Sequence, residues 1–417
     1  MNRILRVSLL VLLILTHVLV LLLITACQSE LAPVPSASPT EQEPVPPTSP
    51  TEQEPAPPVS PPEVQGDIIL LSSTAVTEYP SAISFTVEAE SAAEITEAVL
   101  EYKIDKITTV VLTTRIMADF VTATRVKAIS KLEMKKLGGL PPGAEIMYHW
   151  KIEDTEGRSL ETESATATFD DSRYPWTNLS EGNTTLYWYQ GDQTFAQELM
   201  DTAQAALEML AADTGAQLQR PVKIYIYASN DDLRSAMIYP QEWTGGVAYT
   251  EFGIVAIAIS PDNIDWGKRA VAHELAHLVT YQMTYNPYGD LPTWLNEGLS
   301  MYAEGDLTTD EKAILDDATG KDELVSVRSL SSSFPARGEI NLHYLESYSL
   351  VKFLIDNYGS EKMLQLLGAF KQGKSYDDAL LEVYGFDTDG LEDAWRAILG
   401  LKPLAATAAL VSVTPVS

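Results

Sequence analysis

Residues 273–277 read HELAH, two imidazoles four residues apart around a carboxylate. On a helix His273 and His277 stack on one face, one turn apart, and Glu274 lies about 100° around from His273. Imidazoles so placed can hold one zinc ion at about 2.0–2.1 Å, and the adjacent carboxylate can take a proton from a water activated there. A hydrolytic zinc also needs a third protein ligand and a position left for water. Glu297, in TWLNEGLSMYAE, is the candidate. Nineteen residues separate it from His277, room for a helix to end, a loop over 286–291 to turn and an antiparallel helix to begin. Asp290 or the residue after it can cap that second helix, with Pro292 in its first turn. Gly298 would let the two helices approach closely.

The plainer alternative is a pair of amphipathic helices whose histidines and glutamates do no chemistry. A chain of this length shows H-E-x-x-H by chance on the order of once in a hundred times. Context favours the metal. Val271, Leu275 and Leu278 form an apolar stripe beside the histidine face, so the helix can pack while presenting both ligands. Only five histidines occur in the whole chain.

Certain elements must hold these residues in place. TTLYWYQ and PVKIYIYAS read as strands, and GGVAYTEFGIVAIAIS as two strands joined around Gly253. DQTFAQELMDTAQAALEMLAADTGA reads as a long helix, with Asp192 as its cap and Gly215 near its end. Helices are expected over 266–285, 292–304, 309–318, 341–357, 360–371, 375–383 and 388–399. A small mixed sheet followed by a helical half is α+β in order, and this unit is placed at 171–400. Residues 67–170 look all-β: ISFTVEAES, AVLEYKI, TTVVLTT, IMYHWKIED and ESATATFDD are short strand-like runs between turns. In that pattern alone they resemble fibronectin type III and immunoglobulin-like sandwiches. His149 falls in one such strand, where a packed or half-exposed core histidine is expected rather than a ligand. Residues 401–417 read as a loose tail.

The N-terminal part sets the compartment. Arg3 and Arg6 precede an apolar run from Val7 to Ala26, a secretory signal or a membrane span. Ile24-Thr25-Ala26-Cys27 resembles a bacterial lipobox, making Cys27 the lipidated residue and 1–27 a lipoprotein signal; an uncleaved anchor is the alternative. Cys27 is the only cysteine, so no disulfide forms within one chain. Residues 28–66 carry the imperfect repeat SPTEQEPVPPT/SPTEQEPAPPV, a proline- and glutamate-rich stalk unable to bury a core. The formal charge of −30 argues against a nucleic-acid partner.

HELAHLVTYQ and LPTWLNEGLSMYAE together resemble the peptidase MA-like branch of the gluzincins, relatives of thermolysin and the aminopeptidase-N type enzymes, over about 184–400. The resemblance implies one zinc per chain bound by His273, His277 and Glu297, with Glu274 as general base. It also implies an antiparallel sheet whose edge strand binds substrate backbone; Gly245, Gly246, Val247, Ala248 and Tyr249 are the best place for it. HYLESYSLVKFL is similar to the gluzincin segment that supplies an oxyanion donor, which puts Tyr344 in that role and Ser347 as the small residue after it. Tyr348 or His343 could take the role instead. Two departures stand out. Met301 occupies the place of an aspartate that would orient a zinc histidine, so that support must come from elsewhere. GGVAY lacks the aminopeptidase glutamate that holds a free substrate amine. The expectation is a membrane-tethered, extracytoplasmic zinc metalloprotease acting within peptide or protein chains. Its rivals are a surface binding lipoprotein that keeps the fold without catalysis, and a structural lipoprotein that binds through its β domain.

Overall fold

The computed structural model describes residues 67–108, 110–240, 245–332 and 340–404. The lipobox with Cys27, the stalk and residues 405–417 of the tail lie outside the described residues. All described residues fall in one compact unit, and none of their helices is long and apolar enough to cross a membrane.

The architecture is α+β. Strands β1 (Ile69–Glu78), β2 (Ala82–Ile104), β3 (Thr114–Met117), β4 (Ala123–Glu133), β5 (Ala144–Asp154), β6 (Ser159–Glu161) and β7 (Ala165–Phe169) join in one antiparallel sheet. A single helical turn, α1 (Met134–Leu137), follows β4. ISFTVEAES and AVLEYKI, read as two short strands, are one 23-residue strand, β2. Its register against β4 and β5 shifts between Glu90 and Glu97, an irregularity that lets a strand bend and change partners. The first half of β2 pairs with β1 and β4, the second with β3 and β5. Of TTVVLTT only Thr114 pairs among the described residues, and Val110, Val111 and Leu112 are 60, 67 and 74% exposed.

The second sheet runs β11 (Gly246–Tyr249), β12 (Ile254–Ala258), β10 (Val222–Tyr227), β9 (Thr184–Trp188), β8 (Thr177–Glu181). Its three central strands are parallel and both edges antiparallel, so the sheet is mixed where the resemblance implied an antiparallel one. Period-two alternation gives it two faces. Leu186, Val222, Ile224, Ile226, Val255 and Ile257 meet α2 (Gln193–Thr214) and α4 (Ile264–Thr284). Tyr225, Tyr227, Ile254, Ala256 and Ala258 meet the core of the first sheet, including Phe85, Trp150 and Phe169. Asp192 caps α2 by accepting from the Phe195 amide, and Gly215 ends it at φ 72°. A short helix, α3 (Asn230–Ser235), links β10 to β11.

The helical half comprises α5 (Thr293–Ala303), α6 (Thr309–Lys321), α7 (Val327–Leu330), α8 (Ile340–Lys371), α9 (Tyr376–Tyr384) and α10 (Thr388–Ile398). Helix α8 breaks at Gly359, matching the two helices expected there. No side chain caps α5: Pro292 itself is the N-cap, and its carbonyl takes the Leu295 and Asn296 amides, so Asp290 has no capping role.

Candidate metal centre

Helix α4 uses each of its faces. Val271, Leu275 and Leu278 pack on the sheet. One position along, Ala272, Ala276 and Val279 pack on the helical half. The next rows in the same 4-3 rhythm, His273 with His277 and then Glu274, are half-buried and remain for chemistry. The helix is fixed on two sides, so its imidazoles are placed by packing rather than by a loop.

Helix α5 brings Glu297 onto them. The imidazole rings stand 4.9 Å apart at 81°. Glu297 Oε2 lies 3.4 Å from His273 Nε2 and 3.5 Å from His277 Nε2. Among the described residues, these three form the one group of histidine, cysteine and acidic side chains able to hold a metal, their ligand atoms all within 4.8 Å of one another. Ligands about 2.0–2.1 Å from a tetrahedral zinc stand about 3.4 Å apart, so the spacing fits the ion. Glu297 Oε2 is also buried without a hydrogen-bond partner, aimed between the two nitrogens. A buried carboxylate oxygen left so is costly unless a cation meets it.

Both outer nitrogens are held by residues that the motifs did not point to. Glu304 Oε1 accepts from His273 Nδ1 at 2.8 Å. Arg269 holds Glu304 in turn, its Nε donating to Glu304 Oε2 at 2.7 Å, and its other nitrogens bind Glu311 at 2.8 and 3.1 Å. Ser300 Oγ donates to the Asn296 carbonyl at 3.1 Å, which leaves its lone pairs for His277 Nδ1–H at 3.1 Å. With Nδ1 of both rings engaged outward, Nε2 is the nitrogen that faces Glu297 on each, and it becomes a ligand lone pair once its proton is lost. The support that Met301 cannot give therefore comes from Glu304, three residues on at the C-cap of the same helix; Met301 itself packs against Leu345 and Tyr348.

The electrostatics agree. Burial pulls the His273 pKa down, but Glu297, Glu304 and Glu274 outweigh it and push it up to about 10. Burial raises Glu297, yet His273 and His277 hold it below its ordinary value. A site of this charge favours a cation.

Gly298 does allow a close approach, but to a different helix from the one its neighbour Glu297 suggested. A Cβ there would lie 2.4 Å from the Ser347 carbonyl and 2.6 Å from Val351 Cγ2, so the glycine seats α5 on α8 rather than on α4. Tyr344, on α8, is half-buried, its ring 6.0 Å from that of His273. Burial, then Glu297, Glu274 and Glu304, push its phenol up to about 12, so it stays a proton donor at neutral pH. Tyr348 is buried against Met301 and Leu345 and stacks on Tyr302. His343 is buried, 3% exposed. Of the three candidates only Tyr344 lines the ≈ 630 Å³ cleft that holds His273 and Glu274. A cavity of similar size, ≈ 680 Å³, opens beside the 286–290 segment and holds no imidazole.

Strand β11 is the sheet edge nearest α4, with Gly245 just before it and Gly246, Val247, Ala248 and Tyr249 within it. A Cβ on Gly246 would stand 2.8 Å from Glu274 Oε1, so the general-base candidate lies directly against this strand. His149 lies far from the cluster in sequence, within β5, paired with Glu101 and Glu161 at 3.4 and 3.3 Å.

No curated protein matches the chain. Among solved structures, the protein OgpA from Akkermansia muciniphila is similar at 13% identity and TM-score 0.20, over 26% of this chain; the chain spans only 30% of the length of that protein. An M1 zinc metallopeptidase from Deinococcus radiodurans is similar at 12% identity and TM-score 0.31, over 78% of this chain and 90% of that one. An aminopeptidase N family protein from Idiomarina loihiensis is similar at 11% identity and TM-score 0.38, over 76% and 74%. Residues 202–400 match the family model of the Peptidase MA superfamily, and His273, Glu274, His277, Glu297, Ser300, Glu304 and Tyr344 all lie inside that match.

Proposed function

We propose that this protein is a membrane-tethered, extracytoplasmic zinc metalloprotease that cuts within peptide chains. The observation that carries the reading is the convergence of His273, His277 and the unpartnered Glu297 oxygen, with Glu274 beside them. Zinc held by these three would act as a Lewis acid and lower the pKa of water in its open position. The chain's own groups supply the rest. Glu274 takes the proton of the attacking water and returns it to the leaving amine nitrogen. Tyr344 donates its phenol proton in a hydrogen bond to the substrate carbonyl oxygen as that oxygen becomes anionic. The outer edge of β11 pairs with the substrate backbone as an added strand, and the missing side chain of Gly246 leaves room for Glu274 to approach the scissile bond. Residues 245–249 contain no carboxylate to hold a free amine, which supports action within chains rather than at N-termini.

The test is cleavage of a peptide library by the zinc-loaded protein and by Glu274→Gln. Internal cuts that vanish in the variant, with its zinc retained, are the expected result; turnover surviving the change would refute the mechanism. Lipid tethering is proposed from the Cys27 lipobox and is tested separately by mass spectrometry for a diacylglyceryl group on Cys27; an unmodified residue in the expressed protein would refute lipidation and leave the uncleaved anchor as the tether.

A further inference from the structure

Two hollows flank the metal cluster. The one at His273 and Glu274 is wide, ≈ 630 Å³, with Trp266, Ile314 and Leu345 among its walls and with Arg269 neutralised by Glu304 and Glu311. The one on the His277 side is narrow, ≈ 200 Å³, walled by Thr250, Tyr281, Tyr285 and Asn296, and it reaches Asp290. No lysine or arginine lines this second hollow. The Tyr281 and Tyr285 rings stand 5.2 Å apart at 40°. Burial first, then Tyr285, with Glu251 and Asp290 after them, push the Tyr281 phenol up to about 12. Glu251 is already paired with Lys106 at 2.8 Å. Across the adjoining cavity that Asp290 also lines, Arg328 is engaged by Asp377 and Asp389, and Lys374 by Glu382. The two cations that line that cavity with Asp290 are therefore committed to other carboxylates.

We propose that this narrow hollow is a substrate subsite that takes a lysine or arginine side chain, its stem against Tyr281 and Tyr285 and its cationic head at Asp290. The inference rests on the peptidase reading above and adds the substrate class. A long basic side chain matches both halves of the hollow, since methylenes pack on ring faces, cations are attracted to them, and the carboxylate terminates the path. An apolar side chain of the same length would fill the space and leave Asp290 unmatched; an acidic one would meet it as a like charge.

The experiment uses the zinc-loaded full-length protein and peptides acetylated at the N-terminus and amidated at the C-terminus, identical except for Lys, Arg, Met or Glu at one scanned position. The Lys and Arg peptides should exceed the Met peptide in kcat/KM by roughly tenfold at the position that fills the hollow. Asp290→Asn should bring that ratio to within about twofold of unity, and Asp290→Lys should turn the preference toward Glu. Asp393→Asn, an exposed carboxylate on α10, should leave the ratio unchanged. Equal cleavage of Lys and Met peptides at every position, or a ratio that survives Asp290→Asn, would overturn the subsite while leaving the peptidase reading standing. A basic preference seen only with a free α-amine would put the substrate's N-terminus in the hollow and overturn the side-chain assignment. No cleavage of any peptide by protein with zinc bound would overturn the peptidase reading, and the subsite with it.

Discussion

The two faces of the five-stranded sheet carry similar alternating patterns and serve opposite ends. The face toward α2 and α4 is aliphatic, and it holds the helix that carries His273, Glu274 and His277. The face toward the first sheet is aromatic. Tyr174 stacks on Tyr189 at 4.3 Å, Tyr187 on Tyr225 at 4.5 Å, and Trp176 meets Tyr227 edge-on at 5.1 Å. Within that layer Asp171, buried, takes Arg173 at 2.6 Å and the Tyr227 hydroxyl at 2.9 Å, and Tyr79 donates to the Ala236 carbonyl at 3.1 Å. One face places chemistry; the other fastens the β-rich part to the sheet behind it. A single core runs from Phe85 and Trp150 into Tyr225 and Ala256, so the first sheet packs continuously against the half that carries His273, His277 and Glu297.

That contrast can be broken by substitution on either side. The largest effect is expected from Glu274→Gln, which should lower turnover by about 10²–10⁴-fold while melting temperature and zinc content hold. On the opposite face, Asp171→Ala should cost roughly 2 kcal/mol in chemical unfolding by taking the acceptor from the buried Tyr227 hydroxyl and from two of the Arg173 nitrogens, with kcat/KM per folded molecule unchanged. A large loss of kcat/KM in the Asp171 variant at a temperature where it is fully folded would end the division of labour. Gly246→Ala should then cost on the order of 10²-fold in turnover by displacing Glu274, with little change in stability, because the atom it meets is the end of a flexible side chain.

Much of this was legible in the sequence. The i, i+4, i+7 rows of α4 announced its packing and its free face, and Asp192 and Gly215 marked the ends of α2 correctly. The errors have physical causes. Spacing along a helix gives separations within it and says nothing about which neighbour a glycine admits, so Gly298 was assigned to the wrong helix pair. The long β2 reads as two runs in the sequence because an irregularity between Glu90 and Glu97 interrupts the alternation that marks a strand. Strand β4 gives a weak signal in the sequence although Val126, Ala128, Ser130 and Leu132 alternate inward, because two of these inward residues are small. Glu304 could have been found: it lies seven residues after Glu297, on the same helical face.

Smaller effects sharpen the account of the centre itself. Glu304→Gln should weaken zinc binding by about 10–100-fold by freeing His273, and Ser300→Ala by less, since a neutral hydroxyl orients its histidine more weakly than a carboxylate; equal affinities by competition titration would remove both from the site. The pH dependence has a definite sign. In the metal-free protein the raised His273 pKa contributes stability fully present below about 6.5 and lost as pH rises through about 10. Zinc must displace that proton, so its affinity should climb from pH 6 to pH 9, and a flat profile by the same titration would contradict the placement of His273.

The most direct test of the central claim is the metal content of the full-length protein, purified without chelator and equilibrated with zinc, beside Glu297→Ala. The arrangement of His273, His277 and Glu297 predicts about one zinc per chain in the parent and strongly weakened binding in the variant. A folded parent protein that takes up no zinc, or a variant that binds it equally well, would contradict it.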